Sequence, residues 1–149
     1  MKGFEVMEKR MNKEELIELI KTLKISKEEF WVLSSGALVL RGIYPDAGDL
    51  DIAVTNKGMQ ELQKNYDSIP EKYELGSFYK VTENIECVCD GNKEELKFKP
   101  EKVGEFYAQN IYEYLEYLEG SDREKDKKRI PLVKEYIKNN YKEPMERED

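Results

Sequence analysis

Two acids spaced by one residue, Asp49 and Asp51, are the side chains in this sequence best suited to chemistry. In an extended strand, residues two apart point the same way. The run Asp49-Leu50-Asp51-Ile52-Ala53-Val54 would therefore set two carboxylates side by side and turn Leu50, Ile52 and Val54 to a core. Neighbouring carboxylates repel unless a cation lies between them. Hard divalent ions such as Mg2+ take such oxygen ligands, usually together with substrate phosphates. Upstream, Ser34-Ser35-Gly36 joins two apolar segments with small residues. Backbone N–H groups at such a bend can face an anion, and the start of a following helix adds its positive end. The acids alone would be ordinary surface on an edge strand, and the bend alone an ordinary strand-to-helix turn. Their combination points to phosphate chemistry around a metal. Arg41 and Lys57 are the cations nearest in sequence, each either a phosphate contact or a surface charge.

The stretch from Phe30 to Val54, FWVLSSGALVLRGIYPDAGDLDIAV, resembles the nucleotidyltransferase superfamily with the polymerase-beta-like fold. Ser35-Gly36 stands where that family has a Gly/Ser doublet, usually Gly-Ser or Gly-Gly. Asp49-Leu50-Asp51-Ile52 stands at its carboxylate strand. ALVLRGI and LDIAV are similar to small stand-alone members, including antibiotic-modifying and toxin-type enzymes. Arg123-Glu124-Lys125-Asp126 is similar to the Arg-x-Lys-Asp segment that opens a C-terminal helix in such proteins. The resemblance implies a nucleoside triphosphate as substrate, two Mg2+ ions held by Asp49 and Asp51, and an acidic third position. Glu86, in the apolar-acid-apolar run Ile85-Glu86-Cys87, would fill that position as ligand or base, with Asp90 as competitor. Ser34, Ser35, Gly36, Arg41 and Lys125 would contact phosphate. Asp126 would instead serve to hold helices together. The alternative within the same family is an inactive nucleotide- or protein-binding module, as in toxin–antitoxin pairs. A plain interaction module on the tyrosine-rich C-terminal helices is a further alternative.

Composition narrows the field. The chain has 149 residues, which suits a single domain over 1–149 with flexible ends at 1–11 and 143–149. Its net charge of −7 argues against a broad grip on a polyanion. There is no histidine, which removes the usual neutral-pH base and any Ser-His or Cys-His nucleophile. The two cysteines, Cys87 and Cys89, read as small buried residues in a reducing compartment. No stretch approaches the ~20 apolar residues of a membrane span, so a cytoplasmic protein is expected. A chain this short has little room for an acceptor domain, which motivates a homodimer that completes the acceptor pocket. The acceptor itself, whether small molecule, protein or RNA, is not readable.

These residues must be positioned by an α/β (α+β) arrangement: a small mixed sheet flanked by helices, with C-terminal helices at the end. Asn12 and Glu15 form a capping box for a helix with an apolar stripe through Leu16, Ile20 and Leu23. Strands are expected over 30–33, 49–54 and 84–90, with a short helix over 35–41 and another over 57–66. The runs 73–75 and 78–81 read as a hairpin about Gly76-Ser77, and 96–98 as an edge strand. Asn110 caps a helix to 119, and a last helix over 122–140 would kink or restart at Pro131.

Overall fold

Alternation along the strands decides the architecture. In a computed structural model that describes residues 10–141, six strands form one sheet; the remainder of the expected flexible ends lies outside the described residues. The strands are β1 (Phe30–Val32), β2 (Leu50–Val54), β3 (Phe78–Thr82), β4 (Ile85–Cys89), β5 (Glu101–Val103) and β6 (Phe106–Ala108). Their order is β3-β4-β2-β1-β6-β5. β2 runs parallel to β4 and β1 parallel to β6, while β1–β2, β3–β4 and β5–β6 are antiparallel. The fold is thus α/β with a mixed sheet, as the sequence implies.

Phe30, Val32, Leu50, Ile52, Val54, Ile85, Cys87 and Cys89 fill one face of the sheet and are fully or nearly fully buried. Helices α1 (Lys13–Lys21), α2 (Ser34–Leu40) and α3 (Asn56–Asn65) cover that face with Leu16, Ile20, Val39, Met59 and Leu62. The intervening strand positions Trp31, Ala53 and Val88 make a smaller cluster of their own with Leu33, Leu96 and Tyr107. The chain divides into two compact units, Met1–Gln109 with the sheet and Asn110–Asp149 with the last helices.

Local signals placed most helices correctly. Asn12 Oδ1 accepts from Glu15 N–H at 2.9 Å, and Glu15 Oε1 accepts from Asn12 N–H at 3.0 Å, closing the capping box. In the second unit Asn110 caps α4 (Ile111–Glu119), accepting from Tyr112 N–H at 2.9 Å. Three expectations need correction. The hairpin joins β3 to β4 through Glu83-Asn84, not 73–75 to 78–81. The Glu74 N–H is taken up by the Tyr79 hydroxyl, and the Tyr73 hydroxyl by Asn56, so side chains and not a ladder hold that segment. The edge strand is β5, not 96–98, because Lys99 Nζ gathers the carbonyls of Lys93, Glu94 and Leu96 and curls the segment. Helix α5 (Glu124–Asn140) runs unbroken through Pro131, whose missing donor falls at an exposed position.

Candidate functional site

Register brings the acids together. β2 and β4 are parallel neighbours with Asp51 directly beside Glu86, so the two carboxylates lie on adjacent strands about 4.8 Å apart and share the face opposite the main core. Asp49 lies on a bend just before β2, since the ladder begins at Leu50, whose N–H donates to Asn84 O at 3.0 Å. The expected strand start at Asp49 is therefore one residue early. Asp49 nonetheless acts on the pair: the Asp51 carboxyl is held above its ordinary value by burial first, then by the charges of Glu86 and Asp49. None of the three carries an ion pair or side-chain hydrogen bond among the described residues. Lys80 on β3 is the cross-strand neighbour of Glu86, but its Nζ donates to Glu83 O at 3.2 Å. Asp90 is at the other end of the strands, where its N–H donates to Val54 O at 3.0 Å. The topology therefore sets Glu86, and not Asp90, beside Asp51.

The bend sits at the same end of the sheet as the acids. Leu33 N–H donates to Asp51 O at 2.9 Å, and Ser34 follows immediately. Ser34 has φ 53°, the only positive φ outside glycine among the described residues. A left-handed residue with a side chain costs roughly 1–2 kcal/mol, so the surroundings must hold it. Gln109 does so. Its Oε1 accepts from Ser34 N–H at 3.0 Å, while its own N–H donates to Val32 O at 2.7 Å. Sequence reading overlooked Gln109, because nothing local in Ala108-Gln109-Asn110 tells that β6 lies parallel to β1. The N–H groups of Ser35 and Gly36 precede the first helical bond of α2, Ala37 N–H to Leu33 O at 3.3 Å.

Gly36 has a second duty. It is buried, and a Cβ there would stand 2.8 Å from Val32 Cγ1, so its lack of a side chain lets α2 lie against β1. Val32 is a β-branched residue with no exposed surface, and it cannot yield cheaply. Gly36→Ala should cost about 1–3 kcal/mol from overpacking, read as a lower urea midpoint at unchanged slope. An unchanged midpoint would mean that the helix is not so closely seated.

The two sequence-nearest cations are placed elsewhere. Arg41 is not a surface charge: its guanidinium is buried at the end of α2 and pairs with Glu101 at 2.6 Å. Lys57 opens α3, at the far end of β2 from Asp51. Lys125 is exposed on α5 in the second unit. There Asp126 is 2% exposed and accepts from Ser121 Oγ at 2.7 Å and from the Tyr117 hydroxyl at 3.2 Å. The Arg-x-Lys-Asp segment therefore contains a structural pin at Asp126. Cys87 and Cys89 are free and buried, and burial, with the charges of Cys89 and Glu86, pushes the Cys87 thiol up to about 11, which leaves it inert at neutral pH.

Beside Asp49 opens a cavity of about 460 Å³, walled by α1 and by the bend that leads into β2. The donor set of Asp49, Asp51 and Glu86 fits a hard divalent ion in kind: all oxygen, mutually repelling and without a cation of their own. Among the described residues no group of three such side chains is arranged to hold an ion. Among the described residues no helix is long and apolar enough to cross a membrane. Comparison with family models, curated proteins and solved structures finds no match.

Proposed function

We propose that the protein is a metal-dependent nucleotidyltransferase that moves a nucleoside monophosphate from a nucleoside triphosphate to a hydroxyl. The observation that carries this reading is the register of Asp51 against Glu86 at the sheet end where the Ser34 bend lies. Asp49, Asp51 and Glu86 would hold Mg2+, two ions by the family resemblance. When bound, the metal supplies charge neutralisation on the triphosphate and the leaving pyrophosphate. In the transfer, the acceptor oxygen bonds to the α-phosphorus and the bond to pyrophosphate breaks. The hydroxyl proton passes to the Glu86 carboxylate and on to solvent. The N–H groups of Ser35 and Gly36 would orient the triphosphate, with Ser34 fixed by Gln109. Arg41 is left out of this scheme because Glu101 already holds it. Reduced Cys87 and Cys89 and a triphosphate substrate both suit a cytoplasmic setting, and a homodimer remains part of the proposal.

A second reading is a binding module of the same fold without turnover. It is favoured by one observation, that Ser34-Ser35-Gly36 departs from the family's usual Gly-Ser or Gly-Gly doublet. Titrating each nucleoside triphosphate with and without Mg2+, while following thermal stability and pyrophosphate release, separates the two. We expect metal-dependent stabilisation of about 2.7 kcal/mol at a hundredfold excess over Kd, accompanied by pyrophosphate release with a suitable acceptor. Stabilisation without release over a wide acceptor panel supports the binding module. No stabilisation by any triphosphate rejects both.

A further inference from the structure

One hairpin holds α2 at both ends. At the start of the helix, Gln109 Oε1 accepts from Ser34 N–H at 3.0 Å. At its end, Arg41 Nη2 donates to Glu101 Oε1 at 2.6 Å. Gln109 directly follows β6, and Glu101 opens β5. In the antiparallel β5–β6 pair Glu101 stands opposite Ala108, so both anchors arise at the open end of the same hairpin. All of these residues belong to the first compact unit.

Burial makes the Arg41 anchor stiff. The Arg41 side chain is 1% exposed, against 24% for Glu101, so the acid can turn to water and the cation cannot. Nε and Nη1 of Arg41 have no hydrogen-bond partner among the described residues. A buried guanidinium so short of acceptors leans on the carboxylate beside it, because an uncompensated charge away from water is strongly unfavourable. Helix α2 spans only Ser34–Leu40, about two turns and about 10 Å. It is packed along its length, with Ala37, Leu38, Val39 and Leu40 buried and Gly36 seated on Val32. So short and so closely packed a helix tilts as one body, and holding its end limits the movement of its start. That start needs holding. Ser34 has φ 53°, which only its surroundings maintain. The neighbouring Leu33 N–H donates to Asp51 O at 2.9 Å, so a tilt there reaches the strand that carries the acid.

We infer that the β5–β6 hairpin is a two-armed clamp on α2, and that Glu101 and Arg41 are positioning residues that keep Ser34 in its left-handed conformation from the far end of the helix. Neither touches substrate. Their effect on transfer rests on the nucleotidyltransferase reading, whereas the coupling of Arg41 and Glu101 to Ser34 does not.

Arg41→Met, Glu101→Gln and the double variant test the clamp in the full chain. Arg41→Met removes the buried charge and keeps the length of the side chain, so it should fold even if Glu101→Gln, which strands the charge, does not. The Ser34 N–H is bonded to Gln109, so its amide exchange reports release of the bend. Ile52 and Cys87, inside β2 and β4, report the fold as a whole. Each single variant should speed exchange at Ser34 about tenfold more than at Ile52 and Cys87, and the double variant should do no more than the larger single effect, since the pair acts as a unit. Exchange in Arg41→Met that rises no more at Ser34 than at Ile52 and Cys87 would mean that the pair only stabilises the fold, and would overturn the clamp. Pyrophosphate release is then measured with Mg2+ and ATP, GTP, CTP or UTP over the same acceptor panel. Arg41→Met should raise the triphosphate KM about tenfold and leave kcat within about threefold of wild type, because the bend orients the triphosphate in the proposed reaction. A purely structural loss would lower kcat with the folded fraction and leave KM alone. An unchanged KM beside faster Ser34 exchange overturns the positioning role and leaves the nucleotidyltransferase reading standing. No release by wild type with any triphosphate or acceptor counts against that reading and takes the positioning role with it, while exchange at Ser34 still decides the clamp.

Discussion

Asp51→Asn should make the protein more stable and at the same time abolish transfer. Asp51 is half-buried, lies beside Glu86 and is reached by the charge of Asp49. Its carboxyl is held above the ordinary 3.8, with burial as the largest cause. In the unfolded chain it ionises at the ordinary value, whereas the folded chain keeps the proton to higher pH. The folded state therefore binds more protons between the two values, and stability falls as pH rises through that window. Above the folded value the penalty is complete. Asparagine keeps the shape and removes the charge, so the variant should gain on the order of 1 kcal/mol at neutral pH. The gain should shrink toward zero below the ordinary value, where both chains are neutral at this position. Melting temperatures of the two proteins from about pH 3 to pH 8 give the comparison directly, because the window follows from the direction of the shift. Transfer should fall by about a thousandfold or more, since one of the acids assigned to the reacting centre is lost. A stabilised but inactive variant is the mark of repulsion kept for function. A variant that is less stable at pH 7, or that retains transfer, would remove Asp51 from the site.

The parts of this site that sequence could supply are those whose geometry is local. Strand alternation turned Leu50, Ile52 and Val54 to the core, and that alone put Asp51 on the other face. The caps at Asn12 and Asn110 marked helix starts because a side chain and a backbone N–H three residues apart or fewer decide them. What sequence could not decide was non-local. Whether Glu86 or Asp90 meets Asp51 depends on the register of β4 against β2, and a shift of a few residues exchanges them. Gln109 acts on Ser34 only because β6 docks parallel to β1, and nothing near residue 109 signals that pairing. Arg41 read as a phosphate contact or a surface charge because its partner, Glu101, lies on an edge strand that sequence placed elsewhere. Phe106 to Ala108 received no strand from sequence because a three-residue strand is too short to show a period.

The second large effect is expected at Asp126, and it separates architecture from ligand binding in the Arg-x-Lys-Asp segment. Burial alone would raise this carboxyl, yet its pKa is lowered. The Ser121 hydroxyl, the Arg123 charge, the Tyr117 hydroxyl and the Arg129 charge together outweigh the burial. The network is compact: Arg123 Nε is 3.6 Å from Asp126 Oδ2, and Arg129 Nη1 donates to the Tyr114 hydroxyl at 2.7 Å. Tyr114 and Tyr117 stack with centroids 5.9 Å apart, so the acid sits where α4 turns into α5. Because the folded value is lowered, the ionised carboxyl stabilises the fold above its ordinary 3.8, and that contribution is lost as pH falls through the folded value. Asp126→Ala should cost about 2–3 kcal/mol at pH 7, since it removes the buried acceptor of two hydrogen bonds and the negative charge that faces the buried Arg129. The difference between wild type and variant should narrow under acid. Lys125→Ala, one residue away and exposed, should stay within about 0.5 kcal/mol of wild type. Urea midpoints, with amide exchange followed in α4 and α5, measure both. Equal midpoints for the two variants would mean that Asp126 is not the pin that its hydrogen bonds describe. An undiminished gap at low pH would place the cost in lost packing, not in the carboxylate's charge.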